Sequence, residues 1–278
     1  MNMRVAAGAV CMMMTAAAGA QERPDLDVLL DKLTTYLESY ELQLSAVVAD
    51  ETYVQEERRR YNFISTRTTD AEVLFLRVPG EAGWLGIRDV KRVNHRPVAG
   101  TGVTLTDLVK NPGKDVAEKA RAIVEASARH YLASRRTIVM PTVPLEALSA
   151  SNHPRYIFKL GGAARVADVR TERLEFAEFD EPTLVQSADG GSLWSRGTVW
   201  IHPATGAVWR AELIVGPDRP GAFRRLALES RVRVDFRSDP ALGMIVPREL
   251  SESFWIRGGA GSGKGKYSNF RKLAPLVR

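Results

Sequence analysis

Four sets of residues in this sequence have types that could do chemistry. Gly258, Gly263 and Lys264 stand at the G-x-x-x-x-G-K spacing of a phosphate-binding loop. Such a loop aims backbone N–H groups and a helix N-terminus at phosphate, with a Ser or Thr hydroxyl on magnesium. Here Gly265 occupies the hydroxyl position and the flanks are strand-like, so the segment reads as a flexible hairpin loop. The second set is imidazole: His95, His130, His153 and His202. No two have metal-ligand spacing, and His-Glu-x-x-His is absent. The third is carboxylate. Glu51, Glu56 and Glu57 could pair as acid and base. They lie in a mixed run that continues into Arg58-Arg59-Arg60, the pattern of a solvated face or hairpin edge. The fourth set is basic and diffuse: Arg58 to Arg60, Arg135-Arg136, Arg224-Arg225, Arg231, Arg233 and Arg271-Lys272. It suits anionic partners in general. No Gly-x-Ser-x-Gly nucleophile elbow and no aromatic–basic RNA signature occur. The expectation is therefore no catalytic residue, no metal, no cofactor and no nucleic acid.

The elements that must position these residues change period along the chain. Leu29, Leu33, Tyr36, Leu37, Tyr40, Leu44 and Val47 recur at three- and four-residue steps, so residues 25–47 predict an amphipathic helix packed on a sheet. Strand-like sequence follows over Ser45 to Arg58, residues 72–78 and Trp84 to Val93, with a turn at Pro79 to Gly83. Capping patterns at Thr104–Asp107 and Asp115–Glu118 start two helices, within a helical insert of about 104–148. From Arg155 the chain reads as β, with hairpins about Pro203-Ala-Thr-Gly206 and Asp239-Pro-Ala-Leu-Gly243. The first hairpin sets His202 opposite Ala207, Ile201 opposite Val208 and Trp200 opposite Trp209. Strands that follow one another without helical crossovers make an antiparallel meander, about 155–272. The expected fold is one α+β domain over 21–278, a curved, mainly antiparallel, half-barrel-like sheet with an N-terminal helix and a helical insert. A split near residue 150 is the alternative.

Residues 1–20 read as a cleavable signal peptide. Arg4 precedes the uncharged apolar run Val5 to Ala18, and Ala18-Gly19-Ala20 is a small-x-small site, with the cut expected after Ala20. The run is shorter than the roughly 20 residues a spanning helix needs, so no transmembrane anchor is expected after cleavage. The sole cysteine, Cys11, lies in that leader, which excludes disulfides and thiol catalysis from the mature chain. The localisation that follows is periplasmic or secreted. Of 278 residues, 45% are hydrophobic and 26% charged, too apolar for a disordered chain, and the net charge is +6.

Several stretches carry a resemblance. Residues 44–51, 73–79 and 84–90, with Val199-Trp-Ile-His-Pro-Ala-Thr-Gly206 and Lys266-Tyr-Ser-Asn-Phe-Arg271, resemble a family of uncharacterised exported bacterial proteins. The order of elements and the turns also resemble, more distantly, the periplasmic lipoprotein-sorting (LolA-like) half-barrel fold. That second resemblance implies a curved sheet holding an acyl chain or a hydrophobic segment under helices. The expected function is a non-enzymatic periplasmic binding or carrier protein for a lipid, acyl chain or hydrophobic protein segment. Candidate lining residues are Phe75, Phe158, Trp200, Trp209, Phe236 and Phe254. The alternatives are an envelope protein–protein interaction module without a small ligand, and a hydrolase with a dispersed site built on His202 or His130 beside a Glu.

Overall fold

The computed structural model describes residues 25–45, 47–59, 63–76, 85–110, 115–132, 140–187, 190–219, 229–256 and 259–273. The expected leader, with Cys11 and the expected cut, lies outside them, as does the expected turn at Pro79 to Gly83.

Helix α1 spans Leu26–Leu44. Asp25 caps it, its Oδ1 accepting the Asp27 N–H at 2.8 Å. Leu29, Leu33, Leu37, Tyr40 and Leu44 form its buried stripe. Full burial of each such side chain contributes about 1.5–3 kcal/mol, and a 19-residue helix in water needs that tertiary contact to be stable.

The strands are β1 (Val47–Arg59), β2 (Phe63–Leu76), β3 (Leu85–Val93), β4 (Arg96–Pro97), β5 (Tyr156–Val166), β6 (Val169–Glu178), β7 (Val185–Gln186), β8 (Ser192–Ile201), β9 (Val208–Gly216), β10 (Ser230–Asp239), β11 (Met244–Ile256) and β12 (Gly259–Lys272). They form one curved antiparallel sheet in the order β4-β3-β2-β1-β12-β11-β10-β9-β8-β6-β5, with β7 attached to β8. Two meanders, β1–β4 and β5–β12, are thus joined where β1 pairs with β12. The half-barrel-like α+β architecture expected from the sequence is present.

This order sets a route problem. Strands β4 and β5 follow each other in sequence but lie at opposite edges of the sheet, so residues 98–155 must cross it. Helices α2 (Leu105–Lys110) and α3 (Val116–Ala128) pack on the outer face of β1–β3, where Leu105, Leu108, Val109, Ala120 and Ile123 meet Val48, Leu74 and Ile87. The Thr104 capping box forms, with Asp107 Oδ2 accepting the Thr104 N–H at 2.8 Å. Ser127 of α3 bonds the Arg88 carbonyl and the Val90 N–H, covering an otherwise bare edge of β3. The chain then passes to the inner face. Tyr131, Met140 and Val143, and helix α4 (Val143–Glu146) with Leu145 and Leu148, join the main core there.

Two hairpins differ from expectation. Strand β6 and its turn with β5 were not read from the sequence; the turn residues Ala167 and Asp168 both take positive φ, 46° and 66°. The Gly-rich segment expected to be a flexible loop is instead the first half of β12, paired to both β11 and β1. Its glycines alternate inward and leave room for large neighbours. A Cβ on Gly263 would overlap the Tyr53 hydroxyl and the Glu252 carboxylate, and one on Gly261 the Phe254 ring.

Candidate functional site

The inner face of the sheet has two unlike halves. Over β8–β11 it is an apolar trough. Its floor is Val199, Ile201, Val208, Ala211, Leu213, Val232, Val234, Phe236, Val246 and Leu250, and its roof is α1 with α4. The β8–β9 turn touches α1 directly: Lys32 Nζ donates to the Pro203 carbonyl at 3.0 Å. Gly206, at φ 72°, sits where a Cβ would strike the Lys32 backbone. Between α1, that turn and the β10–β11 turn a cleft of about 270 Å³ remains open, lined by Tyr36, Tyr40, Gln43, Thr205, Met244 and Ile245 among others. The Tyr36 and Tyr40 rings stack in its wall, centroids 5.4 Å apart. Burial pushes both phenols well above their ordinary range, so they are neutral hydrogen-bonding groups at any physiological pH.

Over β1–β3 and β12 the inner face is polar. Glu51, Tyr53, Gln55 and Glu57 alternate inward along β1, and all are buried. The Arg88 guanidinium, from β3, grips Glu51 with two N–H groups, its Nη2 at 2.6 Å from Oε1. It also donates to the Tyr131 hydroxyl. The guanidinium lies 5.6 Å from the Tyr53 ring centroid and 5.8 Å from that of Tyr131. Burial by itself would lower the Arg88 pKa; the Glu51 carboxylate outweighs it and holds the guanidinium charged. Tyr267 stands beside Glu51, and burial, reinforced by that carboxylate, pushes its phenol well up. Tyr53 donates to Glu252 across β12. Gln55 Oε1 accepts the Leu132 N–H at 3.0 Å, while Arg67 Nη1 donates to the His130 carbonyl at 3.1 Å. These bonds hold the crossing segment to the sheet. Gln55 Nε2 and Glu57 Oε1 have no hydrogen-bond partner among the described residues.

The structure distributes the six expected aromatic residues unevenly. Phe75 and Phe236 are buried in the inner core. Phe158 packs against that core, 5.0 Å from the His153 ring, and Phe254 lies inward over Gly261. Trp200 points the other way. It sits on the outer face under the Arg210 guanidinium, 5.4 Å from the ring centroid. The expected Trp200–Trp209 pair does not form. Ile201 pairs with Val208 as predicted, but Trp200 pairs with Arg210, because a bulge takes up Trp209. A single extra residue shifts register and ends the alternation that the pairing assumed.

The acidic run also differs from a solvated face. Glu56 is half-exposed, but Glu51 and Glu57 are 2% and 3% exposed. The inward phase Val47-Ala49-Glu51-Tyr53 was the signal; the polar residues in it masked the alternation. The histidines make separate local contacts. His202 Nδ1 meets the Thr205 hydroxyl at 3.2 Å, and His153 Nε2 meets the Leu148 carbonyl at 2.9 Å. Among the described residues no three His, Cys, Asp or Glu side chains converge as a metal site would require.

On the outer face a second groove, of about 370 Å³, runs beside edge strand β5. Ile157, Ile214 and Ala177 supply apolar walls, and Lys159, Glu175 and Arg196 supply charge. Ile157 is 61% exposed. No strand among the described residues pairs with the far edge of β5.

A curved sheet roofed by an N-terminal helix is the class of structure these observations define. No protein-family model and no curated protein matches the sequence. Among solved structures, the chain is similar to an outer membrane lipoprotein-sorting protein domain from Vibrio parahaemolyticus. Identity is 13% and the TM-score 0.41, over 90% of this chain and 95% of that one. It is similar to a DUF1329 family protein from Desulfovibrio piger, at 13% identity and a TM-score of 0.39, over 92% and 96%. It is also similar to a LolA superfamily protein from Nitrosomonas europaea, at 13% identity and a TM-score of 0.32, over 90% and 94%. Among the described residues no helix is long and apolar enough to cross a membrane.

Proposed function

We propose that the protein is exported to the periplasm, as a single α+β domain freed of its leader, and binds a hydrophobic ligand there without chemistry. The ligand class is an acyl chain or an apolar protein segment. The observation that carries this reading is the roof of the trough. One amphipathic helix, not a second sheet, covers an apolar strand floor, and an open cleft of about 270 Å³ runs along its flank. A chain sliding into that cleft meets Met244 and Ile245 and then, with α1 displaced, the floor around Phe236. Phe75, Phe158 and Phe254 line the same inner side. Trp200 faces outward and is assigned no part in this site.

The test uses protein beginning at Gln21, stripped of lipid and titrated with a fluorescent fatty acid. Saturable binding is expected, and Met244→Trp, which fills the cleft, lowers affinity about tenfold or more, at least 1.4 kcal/mol. Binding that is absent, or unchanged in the variant, removes the reading. The groove beside the open edge of β5 favours a second reading. An extended peptide would add to that edge with an apolar side chain in the groove, and Ile157→Asp would weaken that contact alone.

A further inference from the structure

One end of the sheet carries exposed apolar side chains that neither the trough nor the edge strand uses. At the β1–β2 and β11–β12 ends, the register aligns Ile64, Arg58, Ala260 and Trp255 in one row across four strands. All point to the outer face. Ile64 is 49% exposed and Trp255 52%. The neighbouring row, on the inner phase, pairs Phe63 with Arg59, and Phe63 is 64% exposed. Apolar groups therefore emerge on both faces of the same end. A rigid protein partner covers one face; a fluid interface surrounds an end.

The charge at this end is in basic excess. Among the described residues of the two terminal outer-face rows and beside Phe63, the basic groups are Arg58, Arg59 and Arg231; Glu56 lies 3.8 Å from Arg58, and Glu229 is paired with Arg196 at 2.7 Å. The Arg59 partner, Glu57, is buried beneath it. The guanidiniums can stay at headgroup level while Trp255, Phe63 and Ile64 enter the acyl boundary, the division of labour that interfacial anchors show. The whole chain carries +6, which favours approach to a negative surface.

We propose that this end of the sheet docks the protein on an anionic lipid bilayer through Phe63, Ile64 and Trp255, with Arg58 and Arg59 holding the headgroups. The inference goes beyond ligand binding in the trough and does not depend on it.

Co-sedimentation with vesicles tests it, using phosphatidylcholine alone and an equal mixture with phosphatidylglycerol. The protein is expected to bind the mixed vesicles and to leave them as salt rises. The double variant Phe63→Ser, Trp255→Ser removes two exposed rings, so circular dichroism and melting should match the parent, and partitioning should fall about tenfold or more. Arg58→Glu with Arg59→Glu should abolish the preference for the anionic mixture. Absence of binding to either vesicle overturns the proposal. So does binding that the serine variant retains, or binding equal on both vesicles. Loss of fatty-acid affinity in Met244→Trp with vesicle binding intact would keep the two proposals apart.

Discussion

The two halves of the inner face are held by opposite means. The half over β8–β11 is mainly apolar, with Ser195 and Glu252 at its margins, and α1 lies on it through leucines and tyrosines. The half over β1–β3 contains a buried ion pair, two clasping tyrosines and a buried amide, and these bind the crossing segment at Tyr131 and Leu132. Dispersion and hydrophobic contact have no preferred direction, so a helix on an apolar floor can shift and repack. A buried ion pair tolerates no such shift, because moving one partner strands the other in a low dielectric. The difference teaches where movement belongs. On the proposed function it is the α1 half that would open for a ligand, while the polar half fixes the chain that crosses the sheet.

The largest effect that would break this contrast is at Arg88. Replacing it by Met leaves Glu51 charged and buried alone, and stability in urea should fall by about 3–5 kcal/mol. The double variant Glu51→Leu, Arg88→Met should recover most of that loss. If single and double variants unfold at the same urea concentration, the ion pair is not what anchors this half. A smaller effect is expected at Gly263. An Ala methyl there overlaps Tyr53 and Glu252, and overpacking should cost about 1–3 kcal/mol. Ser262→Ala, one residue away on the outer phase, should stay within about 0.5 kcal/mol of the parent.

The smallest effect concerns acid. Partial burial first, then Arg67 and Arg129, hold the His130 imidazole below its ordinary pKa. A base whose folded pKa lies below its unfolded one binds fewer protons folded than unfolded. Its contribution is therefore complete above the unfolded value, near 6.5, and lost as pH falls through the folded one. A shallow drop in melting temperature below that pH is expected, and it should vanish in His130→Asn. A drop unchanged in the variant would assign the effect to other groups.

Much of the scaffold was legible in residue spacing. The α1 stripe, the Thr104 capping box, the Pro203–Gly206 turn and the Val232-Val234-Phe236 alternation are local patterns, and each appears where its spacing put it, except that the helix ends at Leu44 and Val47, expected at the end of its stripe, begins β1. Strand β6 was missed because its turn needs no glycine: Ala167 and Asp168 adopt positive φ themselves. The strand character of Gly259 to Gly265 was missed because glycine has low strand propensity. Its pairing is decided by Tyr53, Glu252 and Phe254, which lie over it from neighbouring strands. The site was less legible still. Phe236 could be placed inside from alternation, and the same alternation in β8 sets Trp200 outward between the inward Val199 and Ile201, whereas the bulge at Trp209 that removes its expected partner has no local signal.

The sequence by itself determined the period of most elements and the supply of apolar strand residues, because these depend on neighbours within a few positions. Only the tertiary structure decided that β1 pairs with β12, and that Glu51 on β1 meets Arg88 on β3. Only it put Phe63, Ile64 and Trp255 together at one end of the sheet. Those facts depend on strands far apart in the chain, and nothing in a local pattern states which strand a given edge will accept. Pairing follows from closing the whole core, where the entropy of joining distant segments is offset only when every strand is in place.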